Sequence, residues 1–184
     1  LLQILAQPKC FVAVITAVIA YGVMGLLMTS TPLAMLACGF EFSESAVVIS
    51  MHVIGMFAPS FFAGNLISRF GSLRIMLVGI LINLICVGIG LAGIDFWNFG
   101  AGLFLLGVGW NFMFIGATTL LTEVHTPSER AKVQGFNDFL IFGTITMAAL
   151  SSGNLLHFFG WNIVNYGVLP FLCVVLVLIL WLAR

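Results

Sequence analysis

Apolar residues fill long runs of the chain, and charged residues lie almost entirely between these runs. A membrane-spanning helix needs about 20 mostly apolar residues, and six runs are long enough. They cover residues 10–38, 46–67, 75–94, 97–122, 134–156 and 161–182. The pattern predicts an all-α membrane protein made of one bundle of six transmembrane helices.

The composition excludes several other classes of protein. Of the 184 residues, 62% are hydrophobic and only 7% are charged, whereas a soluble domain has about 25% charged residues. Six Lys and Arg balance six Asp and Glu, so no basic field is available to attract nucleic acid. The four cysteines are scattered, without a C-x-x-C motif or a histidine at ligand spacing. They predict neither disulfides nor a metal site, and we expect no cofactor.

The cationic residues predict the orientation of the helices in the bilayer. All six fall on one side of the predicted bundle, and they are Lys9, Arg69, Arg74, Arg130, Lys132 and Arg184. Loops on the other side carry only acidic charges. By the positive-inside rule, both termini are cytoplasmic, as expected for a multi-pass protein of the bacterial inner membrane. No signal peptide is evident, and the opening at Leu1 suggests a piece of a longer chain.

An eight-residue segment recurs in the second half of the chain. Residues 64–71 read GNLISRFG and residues 153–160 read GNLLHFFG, with five matches at an offset of 89. The two copies close the second and fifth predicted helices, which end on opposite sides of the membrane. They therefore predict an inverted 3+3 repeat. Chance is the alternative, because Gly, Leu and Phe are abundant.

Polar and aromatic side chains in the first and fourth predicted helices mark a candidate cavity. We predict that Tyr21, Trp110, Asn111 and Thr118 line it, since costly intramembrane polar groups tend to point inward. For Asn111, a hydrogen bond to a neighbouring helix is the alternative. Aromatic and amide side chains suit a neutral or flat aromatic small molecule. The opposite side of the fourth helix carries three glycines suited to close helix contact, which are Gly102, Gly109 and Gly116.

Two titratable residues within the runs are candidates for ion coupling. His52 can change its charge near neutral pH, and Asp138 lies close to the cytoplasmic end of the fifth run. Each has a structural alternative. His52 can bond a neighbouring helix, and Asp138 can stabilise the start of its own helix through the macrodipole.

The segment Gly64–Arg74, GNLISRFGSLR, resembles the loop motif of the major facilitator superfamily. Gly64, Leu66, Arg69 and Gly71 match that motif, while Ser68 replaces its Asp and only Arg74 remains of its basic end. The degraded form resembles the C-terminal half of a twelve-helix transporter. The resemblance implies secondary transport by alternating access, with an N-terminal six-helix half as partner.

A second match follows the fourth predicted helix, in TEVHTPSER. Glu123 and Arg130 resemble the acidic and basic members of the family's cytoplasmic gating charge cluster. The resemblance implies that Glu123 pairs with Arg69 or Arg74, with Arg130 beside it. Residues 109–144 also resemble a group of bacterial permeases, for some of which uptake of a flavin-type vitamin is suggested.

The sequence leaves other functions possible. A complete six-helix protein could act as a homodimeric transporter. An intramembrane hydrolase would need Ser151 or Ser152 to meet His157, the nearest candidate pair of nucleophile and base. A channel is not indicated, because the sequence shows no ring of charged residues and no filter-like loop.

Overall fold

A computed structural model describes residues 6–184, and its regular structure is entirely helical. The helices are α1 (Pro8–Ala37), α2 (Phe42–Phe57), α3 (Ser60–Phe70), α4 (Ser72–Ala92), α5 (Phe96–Thr122) and α6 (Arg130–Leu182). Within the described residues, five helical stretches are long and apolar enough to cross a membrane, counting Phe42–Phe70 as one. The predicted all-helical membrane protein is therefore confirmed.

The second apolar run is divided where α2 gives way to α3. Pro59 is buried at this point and has no backbone N–H to donate to the preceding turn. The helical path resumes at Ser60. The break leaves backbone carbonyls near the end of α2 available to other donors.

The fifth and sixth apolar runs lie in α6, a stretch of 53 residues. As one straight helix it would extend about 80 Å, more than twice the hydrocarbon core of about 30 Å. Gly160 interrupts it with a φ of 77° and a ψ of 171°, a non-helical conformation. Two helical segments therefore meet at Gly160, and the chain passes directly from one to the other.

Gly71 and Gly160 adopt nearly the same backbone conformation. Gly71, between α3 and α4, has a φ of 84° and a ψ of 153°. Positive φ favours glycine, which lacks a Cβ. Both glycines close a copy of the repeated eight-residue segment, so the repeat seen in the sequence corresponds to a repeated local structure.

Helices α1 and α5 lie at the centre of the bundle and are the most enclosed of the long helices. The glycines of α5 bring its backbone close to its neighbours. A Cβ on Gly107 would lie 2.5 Å from the carbonyl oxygen of His52 in α2, and one on Gly109 would lie 2.9 Å from that of Gly79 in α4. The predicted close contact through Gly109 is therefore present, because small residues let membrane helices approach.

Candidate functional site

Three aromatic side chains meet where α1 crosses α5. The Trp110 and Phe114 rings are stacked, with centroids 5.2 Å apart and an interplanar angle of 15°. Tyr21 meets both edge-on, with centroids 5.1 Å from Trp110 and 5.0 Å from Phe114. We call these three residues the aromatic cluster. Phe114 is not among the residues predicted from the sequence, since a lone Phe in an apolar run carries no signal.

The aromatic cluster holds an unused hydrogen-bond donor. The indole Nε1 of Trp110 is buried and has no partner within the described residues. A buried N–H without an acceptor is unfavourable, so this group is available to a polar atom that comes close. Thr118, one turn beyond Phe114, is half-buried, and its hydroxyl donates to the carbonyls of Phe114 and Ile115 at 2.9 and 3.0 Å.

Asn111 is bonded to the neighbouring helices. Its Nδ2 donates to the carbonyl oxygen of Met56 and to the hydroxyl of Ser60, both at 2.7 Å. These acceptors flank Pro59, where the second span is broken. Of the two alternatives open on the sequence, the structure shows the helix contact. Oδ1 of Asn111 is buried and has no partner among residues 6–184. The break at Pro59 supplies acceptors that the apolar pattern could not reveal.

His52 is fully buried between α2 and α5. Its Nδ1 lies 2.8 Å from the carbonyl oxygen of Leu103, so this nitrogen carries the proton when the ring is neutral. Its Nε2 is buried and has no partner among the described residues. His52 thus makes the interhelical contact that was its structural alternative, and it retains one free nitrogen.

Asp138 lies deeper in its helix than expected. Because α6 begins at Arg130, Asp138 stands more than two turns from the helix start, and the macrodipole acts mainly on the first turn. The expected stabilisation by the helix N-terminus is therefore wrong. The carboxylate is exposed on the surface of α6.

The ion pair of Glu123 differs from the one that the family resemblance implied. Its Oε2 lies 3.1 Å from Nζ of Lys9, at the start of α1. Arg69 and Arg74 are exposed and are not its partners, and the Arg69 guanidinium lies 5.3 Å from the centroid of the Phe70 ring. Arg130 is exposed at the start of α6. The sequence pattern did not identify Lys9 as the partner, because Lys9 stands more than 100 residues from Glu123.

In the connection between α5 and α6, Glu129 is hydrogen bonded to Thr126. Oε2 of Glu129 accepts hydrogen bonds from the Thr126 hydroxyl at 2.7 Å and from the Thr126 amide at 3.0 Å. These two hydrogen bonds lower the pKa of the Glu129 carboxyl below its ordinary value. Glu129 therefore orders the loop that leads into α6.

The serine and histidine side chains of the hydrolase alternative do not assemble. Ser151 donates to the Met147 carbonyl at 2.8 Å, and Ser152 donates to the Ala149 carbonyl at 2.7 Å. His157 is exposed, and its ring meets that of Phe158 edge-on, with centroids 5.1 Å apart. Among the described residues, no three His, Cys, Asp or Glu side chains are grouped so that they could hold a metal ion.

The long apolar helices define a multi-pass membrane protein. Residues 13–184 match the family described as the Major Facilitator Superfamily, and the chain belongs to that superfamily. Similar proteins of this superfamily are named as transporters.

Three bacterial proteins are similar to this chain. It is 44% identical over 175 residues to the riboflavin transporter RfnT of Brucella anthropi, over 95% of this chain and 44% of that protein. It is 35% identical over 133 residues to the MFS-type transporter YddS of Bacillus subtilis, over 71% and 30% respectively. It is 28% identical over 155 residues to a cis,cis-muconate transport protein of Acinetobacter baylyi, over 82% and 37%. The chain thus spans less than half the length of these relatives.

Proposed function

We propose that the chain is the C-terminal half of a secondary transporter, which moves a flat aromatic small molecule across the bacterial inner membrane by alternating access. The aromatic cluster carries this proposal, because it lies where the two central helices cross. In such transporters, the two halves rock about a substrate site near the middle of the membrane. An N-terminal six-helix half is the proposed partner.

The matching geometry of the two halves of the chain supports six crossings in an inverted repeat. Helix α5 begins 88 residues after α1, and α6 begins 88 residues after α2. Gly160 follows Gly71 by 89 residues with a similar φ and ψ. The length of α6 allows two crossings that meet at Gly160. We propose three helices per half, with the second half inverted relative to the first, and this arrangement supports the proposal.

The proposed substrate is a flavin-like molecule. The relative with 44% identity is named a riboflavin transporter, and a flat ring system could stack on Trp110 and Phe114. The free N–H of Trp110 could donate to a carbonyl oxygen or ring nitrogen of such a solute. Tyr21 is proposed to hold the ring edge, and Thr118 to lie beside it. Asn111 is proposed to act through the packing of α5.

The remaining candidates are proposed for coupling and gating. Nε2 of His52 is the free group that could accept a proton. Asp138 is the other candidate, because it is the one carboxylate on the α6 surface beyond the first two turns of that helix. The Lys9–Glu123 pair is proposed to fasten α1 to the cytoplasmic end of α5, with Arg69, Arg74 and Arg130 available for contacts in other states of the cycle. Both termini are proposed to be cytoplasmic.

Uptake of radiolabelled riboflavin tests the proposal. The native gene product would be expressed in a riboflavin-requiring bacterium that lacks its own transporter. We expect Trp110→Ala and Tyr21→Ala to reduce uptake at least about tenfold at equal membrane abundance. Trp97→Ala is the matched control, since Trp97 is 71% exposed and lies near the start of α5. Absence of uptake by the parent protein would contradict the flavin proposal, and equal losses in all three variants would contradict the role of the cluster.

A further inference from the structure

The two halves of the repeat differ at one groove on the side of the bundle. In the first half, α5 packs on α3 and α4 around a small apolar group that includes Ala63, Ile75 and Phe112. The rings of Phe62 and Phe112 fill this groove, with centroids 6.5 Å apart. Phe112 is buried there, and Phe62 lies beside it and is 47% exposed.

The corresponding groove between α1 and α6 is open. It forms a cleft of about 430 Å³, within the usual range for small-ligand sites of about 300–1,000 Å³. At the offset of 89, Val23 corresponds to Phe112 and Ser151 corresponds to Phe62, and both line the cleft. Two phenyl rings are therefore replaced by smaller side chains at the positions where the related groove is filled.

The lining of the cleft is suited to hydrocarbon. It is formed mainly by aliphatic and aromatic side chains, among them Val18, Leu26, Leu155 and Phe171. The hydroxyl of Ser151 already donates to carbonyls of its own helix, so it is not free for a ligand. A polar solute would lose its hydration here and gain no partner.

The cleft is continuous with an exposed apolar surface of the bundle. Met147 and Phe171 line it and are also exposed. Val174 and Val177 continue this exposed apolar surface along α6. On α1, the cleft residues Val18, Gly22 and Leu26 form one stripe at helical spacing, while Tyr21 turns toward α5. The cleft is therefore separate from the aromatic cluster.

We propose that this cleft binds an acyl chain of a membrane phospholipid. The chain enters from the bilayer and occupies the space that Phe62 and Phe112 fill in the related groove. The site contributes to packing between α1 and both segments of α6. It does not depend on the identity of the transported solute.

Photolabelling tests the lipid site in the native gene product, reconstituted in phosphatidylcholine vesicles. The probe is phosphatidylcholine with a diazirine on one acyl chain, and mass spectrometry maps the adducts. We expect adducts in residues 144–155 to exceed those on the exposed surface at Val174 and Val177. Val23→Phe should reduce labelling of residues 144–155 at least about fivefold. Val174→Phe, which adds the same ring outside the cleft, should leave it unchanged.

A second variant that fills the cleft, Ser151→Phe, tests the proposal if Val23→Phe does not fold. Ser151→Phe introduces the ring from the other side of the cleft, at a position that is only partly buried. It should lower labelling to a similar extent. Labelling of the cleft no stronger than that of the exposed surface would overturn the proposal. So would unchanged labelling in a folded Val23→Phe or Ser151→Phe protein. Neither labelling result depends on whether the protein transports riboflavin.

Discussion

The side-chain nitrogen of Asn111 lies 2.7 Å from the carbonyl oxygen of Met56, one turn before the break at Pro59. The same nitrogen donates to Ser60 just beyond that break. One amide of the central helix α5 thus contacts both parts of the divided second span. Asn111 therefore connects the break between α2 and α3 to α5, the helix that carries Trp110.

Asn111→Ala is expected to destabilise the protein without altering the substrate site directly. The variant leaves the Met56 carbonyl without its donor, and loss of one partner of a buried hydrogen bond costs about 1–3 kcal/mol. We expect a lower melting temperature in detergent and an unchanged KM for the transported solute. Asn154→Ala is the matched control, because Asn154 is exposed. A raised KM at unchanged melting temperature would instead place Asn111 in contact with substrate.

Gly107→Ala should weaken the packing of α5 on α2. The added methyl would approach the His52 carbonyl to 2.5 Å, and overpacking of this kind costs about 1–3 kcal/mol. Gly88→Ala is the control, since a Cβ there meets nothing within 4 Å. Thermal unfolding in detergent should show a lower melting temperature for the first variant and an equal or higher one for the second. Equal losses would contradict the close contact.

A charge exchange tests the Lys9–Glu123 pair. The pair is exposed, so its contribution to the free energy of unfolding should be below about 1 kcal/mol. We expect Lys9→Glu to lower the transport rate by placing two carboxylates together, and we expect addition of Glu123→Lys to restore it. The corresponding exchange, Arg69→Glu with Glu123→Arg, should not restore the transport rate. Rescue through Arg69 alone would favour the pairing implied by the family motif.

The hydrogen bonds between Thr126 and Glu129 before α6 predict a pH-dependent loop. The pKa of Glu129 is lowered by its hydrogen bonds from Thr126. Its stabilising contribution is therefore present above the ordinary pKa of 4.5 and is lost as the pH falls through the lowered value. Hydrogen exchange at residues 126–133, corrected for its intrinsic pH dependence, should accelerate over that acidic range. Glu129→Gln should remove this pH dependence, and its persistence in the variant would contradict the assignment.

The sequence could predict the helices more fully than their contacts. Apolar runs reveal membrane helices because the bilayer imposes their length. The repeated eight-residue segment ends at Gly71 and Gly160, where the helical path is interrupted. The partner of Glu123 could not be predicted, because several cations are predicted to lie on the same side of the membrane. The role of Asn111 depended on the break at Pro59, where carbonyls become available as acceptors. The aromatic cluster required the crossing of α1 and α5, which helical periodicity alone does not specify.

Riboflavin binding to the purified native gene product tests the central proposal most directly, because stacking against aromatic side chains quenches flavin fluorescence. Saturable quenching is expected with the parent protein. It should be lost in Trp110→Ala and retained in Trp97→Ala, whose side chain lies outside the aromatic cluster. Absence of quenching with the parent protein, or undiminished quenching in Trp110→Ala, would contradict the assignment of this cluster as the substrate site.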